Sequence, residues 1–264
     1  MQLTLLDGLM ASYETPLAYI GGKKKLWSLF KNHIPPGIDL LVSPFVGGGA
    51  IELRSSAQGI KVKAFDNFQL LTEFWEEFIK DAGKVGSYAS KIFPISEDEG
   101  AFYLETNLST ISDKLQKAAI FWCINKQTWS CSMFANKSWK RDDQIMHDKN
   151  YFLKWDNWSN NNITIKHQDC FETIEKYDGC FMYLDPPYVG LEKMYGIKGE
   201  NMSFDHERLY EAISNSNSPW IMSYGKHEDI YKMYGNYKII EPEWYYSFNS
   251  NMKSNANEVV IINT

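Results

Sequence analysis

The stretch YLDPPYVG, residues 183–190, sets one carboxylate, two prolines and a phenol ring side by side after the apolar run CFMYL. Asp185 brings carboxylate oxygens that accept hydrogen bonds, and Pro186 brings a carbonyl with no competing amide hydrogen. Together they can take both hydrogens of an amino group. Tyr188 offers a flat face on which a planar ring can stack. An aromatic amine such as adenine N6 is a poor nucleophile because its lone pair is delocalised into the ring. Two acceptors on its hydrogens favour the pyramidal nitrogen, with the lone pair aimed at an electrophile. A proline turn closing a strand is the plainer reading, but this tetrapeptide arises by chance in only about one in a thousand chains of this size, so the signal is specific.

Such groups need a rigid edge to stand on, and the flanking sequence supplies one. IDLLV (38–42), bounded by Pro36-Gly37 and Ser43-Pro44, reads as a buried strand. PFVGGGA follows as a glycine loop, then IELRSSA as a helix, KVKAFD (61–66) as a second strand and residues 67–82 as an amphipathic helix. Short apolar runs resume at ITIKHQD, CFMYLD, PWIMSY, YKIIE and EVVIIN. This order predicts an α/β fold built on a doubly wound sheet, which binds ligands at the carboxyl ends of its strands. Gly47, Gly48 and Gly49 would let backbone approach a ligand, and Asp66, about 20 residues on, could accept both hydroxyls of a ribose or could simply cap the next helix.

Residues 83–160 are different in character, rich in aromatics and amides and poor in strand periodicity. The expected organisation is therefore a catalytic part, 1–82 and 161–264, interrupted by a mostly helical insertion at 83–160. A net charge of −6 argues against a general nucleic-acid coat protein. GGKKK (21–25) and NKSWKR (136–141) nonetheless permit a local basic surface, apart from the acids of TEFWEEF and SEDEG. The four cysteines, Cys123, Cys131, Cys170 and Cys180, have neither disulfide nor zinc spacing. No metal is expected. The sequence shows neither a signal peptide at its start nor the roughly 18 apolar residues of a membrane span, which points to the cytoplasm.

At these motifs the sequence resembles the amino-methyltransferases that use S-adenosylmethionine, and among them the adenine-N6 DNA methyltransferases of the Dam type. Asp185-Pro186-Pro187-Tyr188 matches their D-P-P-Y motif, and Phe45-Val46-Gly47-Gly48-Gly49 their F-x-G-x-G loop. PLAYIGGKKKL resembles their N-terminal motif, with Tyr19 and Lys23 at cofactor-contacting positions. HQDCFETI resembles the segment whose aspartate, here Asp169, meets the cofactor adenine. FDHERL and NEVVIIN are smaller echoes, and the motif order is that of the alpha group.

The resemblance implies a Rossmann-like methyltransferase sheet with a target-recognition insertion, acting on a flipped-out adenine in double-stranded DNA and releasing S-adenosylhomocysteine. Asp185, Pro186, Pro187 and Tyr188 would be catalytic. Tyr19, Lys23, Phe45, Gly47, Gly49, Asp66, Asp169 and Asp185 would face the cofactor. In the insertion, Lys126, Gln127 and Trp129, with Asn136, Lys137, Lys140 and Arg141, could contact DNA, amides reading base edges and cations holding phosphates. The same tryptophans and cations could instead be core and solvated surface. His167, the histidine nearest the motifs, reads as structural.

The chain also departs from the family's pattern. Ser43 stands where an acidic residue is frequent, Ala18 where a lysine is common, and the glycine-rich turn of GATC-specific members is missing, so no GATC target is inferred. The Pro-Cys nucleophile of carbon-5 cytosine enzymes is absent from the chain. RNA adenine, cytosine N4, protein glutamine and a non-catalytic nucleic-acid-binding relic remain as alternatives, with Asp185 favouring adenine. A monomer or weak homodimer working without an obligate protein partner is expected.

Overall fold

The computed structural model describes residues 14–18, 23, 26–128, 150–192, 203–242, 245–249, 252–255 and 257–264, with backbone only in 245–249 and 252–255. The chain runs β1 (Leu40–Ser43), α1 (Ala50–Ala57), β2 (Lys61–Asp66), α2 (Gln69–Ile92), α3 (Glu97–Glu105), α4 (Lys114–Gln127), β3 (Ile163–His167), α5 (Cys170–Lys176), β4 (Phe181–Leu184), α6 (His206–Ser214), β5 (Trp220–Gly225), α7 (Glu228–Tyr234), β6 (Lys238–Ile240), the hairpin β7 (Tyr245–Asn249) and β8 (Met252–Asn255), and β9 (Glu258–Asn263). Seven strands form one sheet in the order β3-β2-β1-β4-β5-β9-β6. Strands β1 to β5 are parallel neighbours, and β9 lies antiparallel between β5 and β6.

Alternation along the strands builds three layers. Leu41, Phe181, Tyr183, Ile221, Val260 and Ile262 join one apolar cluster, while Val42, Met182, Leu184, Met222, Val259 and Ile261 join another on the opposite face. Successive side chains of a strand point to opposite faces, so a central strand must be apolar throughout to be covered on both sides. The first face receives α2 and α4, and the second receives α5, α6 and α7. Because chain order moves outward from β1 through β2 to β3, and from β4 to β5 in the other direction, the sheet has its switch point between β1 and β4. The glycine loop and the Asp185 turn both leave the sheet there.

Helix α2 is longer than the expected 67–82, extending to Ile92. It breaks at Asp81, which is extended at φ −162° and whose carboxylate accepts from the Lys84 amide at 2.9 Å, capping the second half. The break falls beside the boundary expected between the catalytic part and the insertion. Before it, Leu71, Phe74, Trp75 and Phe78 make a stripe at helical spacing. Phe74 stacks on Phe121 of α4 at 5.5 Å, and Phe78 meets Trp122 and Trp155 edge-on. The helices of residues 69–127 and the sheet thus share one apolar cluster. Among the described residues no helix is long and apolar enough to cross a membrane.

Beyond the break, Gly83 and Gly86 let α2 touch the main chain near Phe152 and Asp156. A Cβ at Gly86 would collide with the Phe152 carbonyl oxygen. Alanine is the better helix former by about 1 kcal/mol, but overpacking costs about 1–3 kcal/mol. Gly86→Ala should therefore lower the unfolding midpoint in a thermal melt by several degrees, and an unchanged or raised midpoint would disprove the close approach.

Candidate active site

Gly47 and Gly49 adopt φ of +44° and +68°, conformations open to glycine at little cost. The loop is held from three sides. The Gly47 amide donates to Asp66 Oδ2 at 3.0 Å, the Trp75 indole N–H donates to the Gly47 carbonyl at 3.0 Å, and the Val46 amide donates to the Phe65 carbonyl at 2.8 Å. Trp75 also lies against Gly49, where an added Cβ would meet the ring at 3.0 Å. Asp66 makes the helix-start contact that was one of its two expected roles, Oδ1 accepting from the Phe68 amide at the start of α2, while Oδ2 braces the loop. Each oxygen retains a further acceptor site. Burial raises the Asp66 pKa, with the Gly47 and Phe68 amides opposing it.

Parallel pairing sets Asp66 level with His167, so Asp169 follows on the neighbouring strand end. Its Oδ1 accepts from the Phe171 and Glu172 amides at 2.9 and 3.4 Å, capping α5. Phe45 meets Phe204 edge-on at 5.7 Å, and Phe204 lies nearly parallel to Phe171. His167 is exposed and bonds the Asn67 carbonyl, a structural contact.

The densest chemistry surrounds Asp185. Its Oδ1 accepts from Ser223 Oγ at 2.8 Å and lies 3.1 Å from Lys23 Nζ. Ser223 in turn bonds the Tyr183 hydroxyl at 3.0 Å. Among the described residues the close contacts of this carboxylate end on Oδ1, which leaves acceptor capacity on Oδ2. Lys23 Nζ also lies 3.4 Å from Glu258 Oε1 and 5.0 Å from the centre of the Tyr188 ring. Tyr188 donates to Glu258 Oε1 at 3.0 Å and packs against Gly225, where a Cβ would come within 3.0 Å of the ring. Burial raises the Asp185 pKa and Glu258 adds to it, while Lys23 and Ser223 pull it down. Burial alone would lower the Lys23 pKa, but Asp185 and Glu258 reverse this and raise it.

Lys23, expected to contact the cofactor, pairs with Asp185 of the Asp-Pro-Pro-Tyr turn. The chain before it is pinned: Asn125 bonds both the amide and the carbonyl of Ala18, at 2.9 and 2.7 Å, and Trp122 and Tyr151 both donate to the Pro16 carbonyl at 3.0 Å. Gln127 requires a correction. It is fully buried, its amide pairing both main-chain groups of Ile95 at 2.9 Å, so it braces the fold and has no edge to present to a base. Lys126 is half-buried over the Tyr151 ring at 4.5 Å. Tyr19, Trp129, Asn136, Lys137, Lys140 and Arg141 lie outside the described residues.

Four participants escaped the sequence reading: Ser223, Glu258, Glu52 and His206. His206, bonded to Tyr224 and to Glu192, adjoins the Tyr188–Tyr224 stack, and FDHERL was its only signal. Glu52 is buried on α1 and accepts from Ser43 Oγ at 2.6 Å. Ser43, where the family often has an acid, is therefore paired with one from the next helix.

This arrangement, an acid-Pro-Pro-Tyr turn and a braced glycine loop at the switch point of a doubly wound sheet, is that of a Rossmann-like methyltransferase. The model of the D12 class N6 adenine-specific DNA methyltransferases matches residues 19–248, and the chain belongs to that family. It is 23% identical over 186 residues to a DNA adenine methylase of Serratia marcescens, covering 66% of this chain and 67% of that protein. Among solved structures it aligns with an rRNA methyltransferase, aviRa, of Streptomyces viridochromogenes at a TM-score of 0.38 and 9% identity, over 96% of this chain and 88% of that one. That score is too low to bear on function.

Burial pushes the Glu52 carboxyl up to about 8, against the Ser43 hydrogen bond. Folded, it keeps its proton to about pH 8, whereas unfolded it loses it near 4.5. The stability it contributes is complete below that lower value and is lost as pH rises through the upper one. Glu52→Gln cannot ionise, so its stability relative to the parent should rise by on the order of a few kcal/mol over that window. Urea unfolding across the window checks this, and a constant difference would rule out the buried neutral acid.

Proposed function

We propose that the chain methylates adenine N6 at specific sites in duplex DNA, with S-adenosylmethionine as donor and Asp185, Pro186, Pro187 and Tyr188 as the catalytic residues. The observation that carries this reading is the state of Asp185: Ser223 and Lys23 meet on Oδ1, and Oδ2 is left to accept at the switch point of the sheet.

The residues present suit the donor. Asp66 has acceptor capacity left for a ribose diol, and Phe45, Phe171 and Phe204 are half-buried aromatic walls beside it. Asp185 and Glu258 share the single ammonium of Lys23, a set suited to a cation. Asp66, Asp169 and Phe45 would hold the adenosine part, with Gly47, Gly49 and Tyr19 at the loop. When bound, S-adenosylmethionine supplies an electrophilic methyl group on a sulfonium.

The chain's own work is positioning. A target adenine must leave the helix stack, at a cost of a few kcal/mol. Tyr188 receives its ring, and Asp185 with the Pro186 carbonyl takes the two amino hydrogens, turning the nitrogen lone pair outward. Rate then comes from orientation and fixed charge, with no covalent enzyme intermediate. Residues 83–160 act as the recognition insertion on a catalytic part made of 1–82 and 161–264, with Lys126, Trp129, Asn136, Lys137, Lys140 and Arg141 toward DNA. The chain acts as a monomer or weak homodimer.

Labelled S-adenosylmethionine incubated with unmethylated duplex DNA and, in parallel, RNA should yield N6-methyldeoxyadenosine from the DNA alone. Asp185→Ala should reduce that product by at least about a thousandfold, since it removes the oriented acceptor. Label in RNA only would move the acceptor, and an active Asp185→Ala would remove the catalytic assignment.

A further inference from the structure

Glu258 belongs to NEVVIIN, a segment that in sequence serves only as a last strand. Because β9 runs antiparallel to β5, its first residue arrives at the edge where the parallel strands end, opposite Gly225. These two cross-strand partners hold one ring between them. Gly225 lies against the ring of Tyr188, and Glu258 Oε1 accepts its hydroxyl at 3.0 Å. The same oxygen is 3.4 Å from Lys23 Nζ, which is itself 3.1 Å from Asp185.

We propose that Glu258 is a positioning residue for the methyl transfer, fixing the ring on which the target base stacks and, through Lys23, the orientation of Asp185. The inference rests on the catalytic reading of Asp185 and Tyr188. A structural role alone explains Glu258 poorly. A carboxylate this buried is costly, and a neutral acceptor would satisfy Tyr188 without setting a second negative charge beside Asp185. Its charge is felt at the reacting edge. Facing Asp185 are Lys23 from the N-terminal segment, Glu52 from α1, Tyr183 from β4, Ser223 from β5, Tyr188 from the turn and Glu258 from β9. Of these, Glu258 is the carboxylate that shares a cation with it.

The test measures kcat, KM and the pH profile of methyl transfer to duplex DNA for Glu258→Ala, Glu258→Gln and Asp185→Ala, with thermal melts and S-adenosylmethionine binding by calorimetry to check the fold. Glu258→Ala should lower kcat by roughly ten- to a hundredfold while KM for DNA stays within about threefold, the pattern of lost orientation. Glu258→Gln keeps an acceptor for Tyr188 and should recover most of kcat. Without the neighbouring negative charge, however, Asp185 should hold its proton less tightly and the acid limb of the kcat/KM profile should move to lower pH. In a Tyr188→Phe background, Glu258→Ala should cost clearly less than in the parent.

A folded Glu258→Ala enzyme with kcat within about threefold of the parent would overturn the proposal. If Glu258→Ala does not fold, Glu258→Gln decides: a shifted acid limb supports the role, and an unshifted one overturns it. An active Asp185→Ala would sink the catalytic reading and this inference together, whereas an inactive Asp185→Ala beside an unaffected Glu258→Ala would remove only the inference.

Discussion

Two carboxylates converge at the carboxyl edge of the sheet, and the ammonium of Lys23 lies between them. Asp185 and Glu258 are each within 3.4 Å of Nζ, and Lys23 is almost fully buried. Three charges taken from water are expensive, and losing one partner of such a set typically costs about 3–5 kcal/mol. The set persists because each member has a second partner. Ser223 donates to Asp185, Tyr188 donates to Glu258, and Lys23 lies by the Tyr188 ring. The Asp185 turn is therefore held through its neighbours: Asp185 and Tyr188 are tied to different strands, β5 and β9, and to one shared cation.

The chain that leads to that cation is held by residues more than a hundred positions later. The segment leading to Lys23 is pinned at Pro16 and Ala18 by Trp122, Asn125 and Tyr151. Trp122 and Asn125 lie on α4, which packs on α2 through Phe74 and Phe121, and Trp75 of α2 holds the Gly47 carbonyl. One helical layer thus supports both the glycine loop and the segment leading to the lysine that pairs with Asp185. Asn125, itself fully buried, holds that segment through two hydrogen bonds to the main chain of Ala18.

Much of the sheet was legible because strand periodicity is a local property. KVKAFD and EVVIIN are strands over the expected residues, and the remaining runs differ by a residue or two at their ends. The Asp185 turn and glycine loop were legible for the same reason, each being a short contiguous motif. The partners of Asp185 were not. Ser223 and Glu258 lie 38 and 73 residues away and reach it only through strand pairing. Helix α2 ran past its expected end because a capping aspartate and two small residues allow a kinked helix to continue. Gln127 was misread because an amide's type says nothing about whether main chain or solvent meets it. Only the position of Ile95 decides that.

The two ligands proposed for this chain carry opposite charge, and the distribution of its own charge separates them. At the proposed reacting edge Asp185 and Glu258 share one lysine, Lys23, a field that favours a sulfonium over phosphate. A net charge of −6 adds a mild repulsion of DNA as a whole. Duplex backbone must then be met away from this edge, by cations that can displace its counterions. The basic cluster of NKSWKR and Lys126 at the end of α4 are the candidates on the insertion side. Base extrusion fits this division, since it sends an uncharged ring into the acidic edge while the polyanion stays with the basic residues.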